Sequence, residues 1–115
     1  MKSPAELIDV IERLCRNLTM KNDDYGNLAN TRSEAEKDYK ISVREQILRH
    51  KTDGQSVTLI PKLVEGHPVV AELKFKMDVA EAIVKANVQS CKSIVNQIDA
   101  ARSMLSWLKE EKGRG

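Results

Sequence analysis

Residues 68–112 read PVVAELKFKMDVAEAIVKANVQSCKSIVNQIDAARSMLSWLKEEK, and this stretch decides the fold. Apolar residues recur along it at alternating intervals of four and three, the spacing that keeps one stripe of an α-helix against a partner helix. We call this stripe the seam of the helix. It comprises Leu73, Met77, Ala80, Val84, Asn87, Cys91, Ile94, Ile98, Ala101, Leu105 and Leu108. Additional apolar residues widen the stripe and indicate more than one neighbour. They are Val70, Val88, Val95 and Trp107.

The N-terminal half has the same spacing and predicts a helix over residues 4–51. Ser3 as N-cap, Pro4 at the first helical position and Glu6 at the third form a helix start signal. Lys21 and Arg32 occupy two seam positions and weaken the middle of this helix. Its apolar seam residues are Leu7, Ile11, Leu14, Leu18, Tyr25, Leu28, Ala35 and Tyr39. Beyond these the apolar set is expected to drift to Val43, Ile47 and Leu48.

Residues 22–27 are Asn-Asp-Asp-Tyr-Gly-Asn, a cluster of poor helix formers that is also typical of a turn. The seam keeps the same phase before and after this cluster, whereas a turn normally resets the phase. We therefore expect a continuous helix, with a turn as the alternative.

A connection over residues 52–67 separates the two long helices. Gly54 tolerates the left-handed backbone and ends the first helix. Thr58 can cap a short helix that has Pro61 in its first turn and ends at Gly66. A β-strand over residues 57–60 is the alternative, although Pro61 follows it at once.

These elements predict an all-α fold: a long antiparallel helical hairpin, in effect a coiled coil, with a short helix in the connection. The whole chain forms a single helical domain, residues 1–115, and assembles into a helical bundle, as a homodimer of four long helices or a higher oligomer. If the second helix starts level with the end of the first, paired residue numbers sum to about 119. Cys91 would then lie beside Leu28 and Cys15 beside Met104. This spacing excludes an intrachain disulfide, and we expect two reduced, mostly buried thiols.

Composition and charge restrict the function classes. Both signs of charge are interspersed and the net charge is +2, too small for the electrostatic footprint of a dedicated nucleic-acid binder. Acidic residues interrupt the N-terminal apolar stretch, which argues against a signal peptide, and no run approaches a membrane span. We therefore expect a cytoplasmic protein that does not contact a membrane.

No catalytic, cofactor-binding or metal-binding set is predicted. His50 and His67 flank the connection, but the three or four correctly spaced ligands of a zinc site are missing. The acidic residues near Gly26 lack the spacing of a calcium loop. Cys15 and Cys91 lie far from either histidine along the helices, so an activated thiol is not expected. The sequence favours a protein that is not an enzyme.

Two groups of residues are candidates for interaction. An apolar group in and after the connection is a candidate partner-binding surface, although it would equally close the end of the bundle. It consists of Leu59, Ile60, Leu63, Val64 and Val69. A second group on the seam is a candidate for fixing register or oligomeric state, because a polar residue in an apolar seam often does so. It consists of Asn87, Cys91, Ile94, Ile98 and Leu105.

Basic residues on the last helix support an alternative function, direct contact with nucleic acid. They are Lys74, Lys85, Lys92, Arg102 and Lys109. Acidic residues dilute this stripe, and no aromatic residues are interleaved for base stacking.

Three segments of the chain resemble a known group of proteins. They are EAEKDY at 34–39, VTLIPKLVEG at 57–66, and VAELK at 70–74 with DVAEA at 78–82. In this order they resemble small helical proteins encoded by tailed phages and prophages of Gram-positive bacteria. The resemblance implies a phage or prophage origin and life in the cytoplasm of an infected bacterium, but no established activity. With the helical fold, we expect a non-catalytic adaptor, assembly factor or modulator that contacts a host or phage protein, and the alternative is an accessory factor of phage DNA replication or recombination.

Overall fold

A computed structural model describes residues 2–114 and confirms the predicted all-α helical hairpin. Helix α1 is Pro4–Thr52, α2 is Ile60–Glu65 and α3 is Pro68–Arg114. The long helices α1 and α3 pack against each other, and α2 lies in the connection. No strand occurs between residues 2 and 114, so the alternative of a strand at 57–60 is wrong.

Helix α1 begins where the sequence predicts. The Ser3 hydroxyl accepts a hydrogen bond from the Glu6 amide at 3.2 Å and donates one to the Glu6 carboxylate at 3.1 Å. This satisfies one of the amides that have no partner within the first turn.

The alternative of a turn at residues 22–27 is also wrong, because α1 is helical throughout this segment. A glycine inside a helix costs about 1 kcal/mol relative to alanine. That is a smaller penalty than interrupting the helix, which would have to nucleate again on the far side.

Helix α1 ends in a Schellman motif built on Gly54. The Gly54 amide donates to the Lys51 carbonyl at 3.1 Å, and the Gln55 amide donates to the His50 carbonyl at 3.0 Å. Gly54 has a φ of +78°, in the left-handed region that only glycine adopts without strain. The glycine therefore ends the helix, as the sequence indicated. The last helical residue is Thr52, one residue beyond the predicted end at Lys51.

Helix α2 is shorter than predicted because Thr58 does not cap it. The Thr58 hydroxyl pairs with the Ser56 hydroxyl at 2.9 Å, and Leu59 is the N-cap residue, without a side-chain cap. Pro61 lies in the first turn and Gly66 ends the helix, as expected.

Helix α3 is capped by a side chain that the sequence analysis did not assign. His67 Nδ1 accepts a hydrogen bond from the Val69 amide at 3.2 Å, directly before Pro68. The imidazole thus takes the role that Ser, Thr, Asp or Asn usually has at this position. All eleven predicted seam residues of α3 are buried or half-buried.

The packing divides into two units. The terminal unit comprises Met1–Gly26 and Ala86–Gly115, and the central unit comprises Asn27–Lys85. In the terminal unit Leu14, Ile94 and Ile98 form a buried cluster, against which Val10 and Leu18 pack.

In the core of the central unit, residues of all three helices pack together. Ile60 and Val64 of α2 are buried with Val70 of α3. Three α1 residues pack against them: Tyr39, Val43 and Ile47.

Ser42 and Gln46, which the sequence analysis passed over, are also buried in the central unit, whereas Leu48 is exposed. The predicted drift of the seam to Leu48 is therefore wrong. Ser42 and Gln46 continue the four-and-three spacing from Tyr39, so the seam keeps its phase to the end of α1.

The two long helices pair in a different register from the predicted one. Cys91 was expected beside Leu28, but its thiol lies 3.6 Å from Oδ1 of Asn22. The prediction assumed that α3 begins level with the last turn of α1. Instead the cluster that Val70 forms with Ile60 and Val64 packs against Tyr39, Val43 and Ile47 of α1, so α2 covers part of this helix end.

We expect His67→Ala to lower the free energy of unfolding by about 1 kcal/mol, because the Val69 amide loses its cap. The matched variant His67→Asp should retain most of the stability, since a carboxylate accepts the same hydrogen bond. Urea denaturation followed by circular dichroism, at one fixed protein concentration, measures both. Equal losses in the two variants would contradict the capping role.

Candidate interaction surfaces

The structure separates the five predicted partner-binding residues into two groups. Ile60 and Val64 are buried in the core of the central unit and close the end of the hairpin. Leu63 is half-buried, whereas Leu59 and Val69 are exposed. Ile60 and Val64 thus expose only 4% and 5% of their surface, where they line a groove, whereas the other three expose more of theirs.

A groove of about 500 Å³ lies between α2 and the long helices of the central unit. Tyr39, Val57 and Pro61 contribute to its apolar lining. Lys51 and Lys74 add two positive charges to the lining, and Glu65 adds one negative charge. We call this the α2 groove.

The five residues predicted to fix register or oligomeric state lie on the seam between α1 and α3 of one chain. Asn87, Ile94 and Ile98 are buried, and Cys91 and Leu105 are half-buried. Asn87 Nδ2 donates a hydrogen bond to the backbone carbonyl of Lys21 at 3.2 Å. A bond from a buried amide to one carbonyl of the facing helix favours one alignment of the two helices.

The two thiols differ from the prediction in their environments. Both cysteines are free, but Cys15 is exposed and only Cys91 is half-buried. The Cys91 thiol donates to Oδ1 of Asn22. Cys15 is exposed because it follows the buried seam residue Leu14 and lies outside the seam of α1.

A groove of about 540 Å³ lies next to Cys91 in the terminal unit. Val88 and Val95, which were predicted to widen the stripe, line it and are exposed. Within the described part of the chain, 37% and 42% of their surfaces are therefore left accessible.

A third groove, of about 380 Å³, lies between α1 and α3 of the central unit. Phe75, Val79 and Ile83 line it at intervals of four along α3, and all three are exposed. Phe75 has 63% of its surface accessible. The groove is also lined by Leu28, Thr31, Glu34, Ala35, Asp38, Leu73, Lys76 and Ala80. We call this surface the Phe75 face.

The Phe75 face was not predicted, because Phe75, Val79 and Ile83 lie outside the seam of α3. The signal was present as a second apolar row at helical spacing outside the seam positions. The Phe75 face and the α2 groove share no lining residue.

The predicted basic stripe is partly neutralised by neighbouring acids on α3. Lys74 pairs with Asp78 and Lys85 with Glu81, each at 3.3 Å across one helical turn. On α1, the Lys40 ammonium lies 3.0 Å from Glu36, and its hydrogen bond and charge lower the pKa of that carboxyl. These exposed pairs add little stability but place both signs of charge on the helix surfaces.

The histidines and acids of the described residues do not come together as a ligand set. Between residues 2 and 114 no three His, Cys, Asp or Glu side chains are grouped so that they could hold a metal ion. His50 has a buried Nε2 atom without a hydrogen-bond partner in this part of the chain. In the same range, no helix has both the length and the apolarity to cross a membrane.

Comparison with known proteins adds no family to these observations. No family model, curated protein or solved structure matches the chain.

We expect Asn87→Ala to be less stable than the control variant Asn96→Ala by about 1 kcal/mol, the usual net value of one hydrogen bond. Both substitutions bring the same gain in helix propensity, and Asn96 is an exposed residue of the same helix. The difference therefore reports the bond to the Lys21 carbonyl. Urea denaturation of both variants measures it, and equal stabilities would remove the register role of Asn87.

Proposed function

We propose that this protein is a helical interaction protein that acts through the surfaces of its long helices and not by catalysis. One observation carries the proposal: the chain exposes 8508 Å², whereas a folded monomer of 13.0 kDa exposes about 6,300 Å². The excess of about 2,000 Å² is as large as a standard protein interface.

The exposed apolar side chains of α3 support this proposal. They recur along the whole helix and are too many to be isolated surface residues of an ordinary monomer. They are Val69, Phe75, Val79, Ile83, Val88, Val95, Met104 and Trp107.

The first partner is a second copy of the chain, in a homodimer that forms a helical bundle or in a higher oligomer. Association of this kind covers apolar stripes that one hairpin leaves open to water.

The second partner is a host or phage protein, bound at exposed residues of the connection that include Leu59. The resemblance to small helical proteins of tailed phages supports this role as adaptor, assembly factor or modulator, in the cytoplasm of an infected bacterium.

Contact with nucleic acid is the weaker proposal. Of the five basic residues of the predicted stripe, Lys74 and Lys85 are engaged with acids of the same helix. A surface of alternating charge attracts phosphates less than an unpaired basic patch does.

Self-association is tested by the mass in solution. Light scattering coupled to size-exclusion chromatography should give at least twice the 13.0 kDa of one chain at tens of micromolar protein. A mass of one chain at every concentration up to about 1 mM would contradict the bundle.

Binding of a second protein is tested by the variant Leu59→Asp. Affinity capture from lysate of the bacterial host should lose its specific partner with this variant, because a carboxylate disrupts an apolar contact. Met104→Asp is the matched control, since Met104 is exposed to a similar extent but lies in the terminal unit. Loss of the partner with both variants, or with neither, would remove the role of the α2 segment.

A further inference from the structure

We propose that the Phe75 face is the surface on which a second copy of this chain packs, as a two-fold symmetric dimer. This inference rests on the proposed self-association and assigns it to one face of the central unit.

The shape of the face is self-complementary. Phe75, Val79 and Ile83 form an exposed apolar ridge on α3. Beside the ridge is the groove of about 380 Å³, whose lining includes the half-buried Leu28 and the buried Ala80. A two-fold rotation places the ridge of each copy in the groove of the other, which is ridges-into-grooves packing between helices.

The charges of the face are also self-complementary. Glu34 and Asp38 line its α1 side, whereas Lys76 lines its α3 side. The ion pairs of the described residues are formed by other side chains, each within one helix. In a two-fold dimer, Lys76 of each copy lies against Glu34 and Asp38 of the other, so two sets of opposite charges form at once.

The apolar character continues beyond the groove on both helices. Ile41 follows Glu34 by seven residues and Val69 precedes Lys76 by seven, so each lies on the same side of its helix as the charged residue. Both are exposed. The exposed apolar surface therefore continues past the groove on both helices of the central unit.

The first test compares two valine variants of α3. Val79→Glu lies on the Phe75 face and Val95→Glu lies outside it, and the two valines are 40% and 42% exposed. Sedimentation equilibrium should show that Val79→Glu raises the dimer Kd by about 100-fold, because the carboxylate is buried in the interface. Val95→Glu should leave the Kd within about threefold of the original value.

The second test exchanges the charges and does not depend on apolar packing. Lys76→Glu alone, and Glu34→Lys with Asp38→Lys alone, should each weaken self-association by about tenfold through repulsion across the interface. An equimolar mixture of the two variants should recover it as a heterodimer, because every cross-copy contact is then between opposite charges. A contact within one chain would not recover on mixing.

The outcomes separate this inference from the proposed function. A dimer that Val79→Glu does not weaken, or that Val95→Glu weakens equally, overturns the Phe75 face and leaves self-association standing. Failure of the mixed charge variants to associate overturns it as well, and this result stands even if Val79→Glu does not fold. A wild-type chain that stays monomeric overturns both the face and the bundle, whereas capture of another protein through Leu59 is unaffected.

Discussion

Two helices that lie side by side cannot enclose a side chain from every direction, and this constraint governs the whole structure. Among residues 2–114 no large side chain is completely buried, although the seam of α3 faces α1 along its length. The hairpin gains stability from a thin row of half-enclosed contacts, each of which removes less apolar area than a core residue in a thick domain. The least exposed side chains are Val70 beneath α2 and Leu7 in the terminal unit, each with 2% of its surface accessible.

Polar residues in the seam have a specific role in such a thin core. A purely apolar stripe on both helices would allow them to slide by one heptad with little change in buried area. Asn87 can satisfy its amide only where a facing carbonyl lies within reach, and the structure gives it that of Lys21. Ser42 and Gln46 occupy seam positions in the central unit. A seam that contains polar as well as apolar residues is therefore less stable than a purely apolar one, but it favours a single alignment of the two helices.

Most of the fold could be predicted from local rules. The start at Ser3, the left-handed glycine at 54 and the phase of the α3 seam each depend on residues within one or two turns. The register could not be predicted in this way, because it depends on how far α2 covers α1, a contact between distant parts of the chain. The His67 cap was missed because histidine is not a usual N-cap residue. The Phe75 face was missed for a different reason: an apolar row outside the seam has no role in a hairpin considered alone.

The Schellman motif at Gly54 also bears on the order in which the chain folds. It ends α1 through backbone hydrogen bonds of its own, and the cluster of Ile60, Val64 and Val70 packs against Ile47 at short sequence separation. The cluster of Leu14 with Ile98 closes a far longer loop. The entropic cost of closing this loop falls only after the helical turns nearer the connection have paired. We therefore expect the hairpin to close at its connected end and zip toward its termini. Pulsed hydrogen exchange should then show protection of amides near Val70 before those near Ile98.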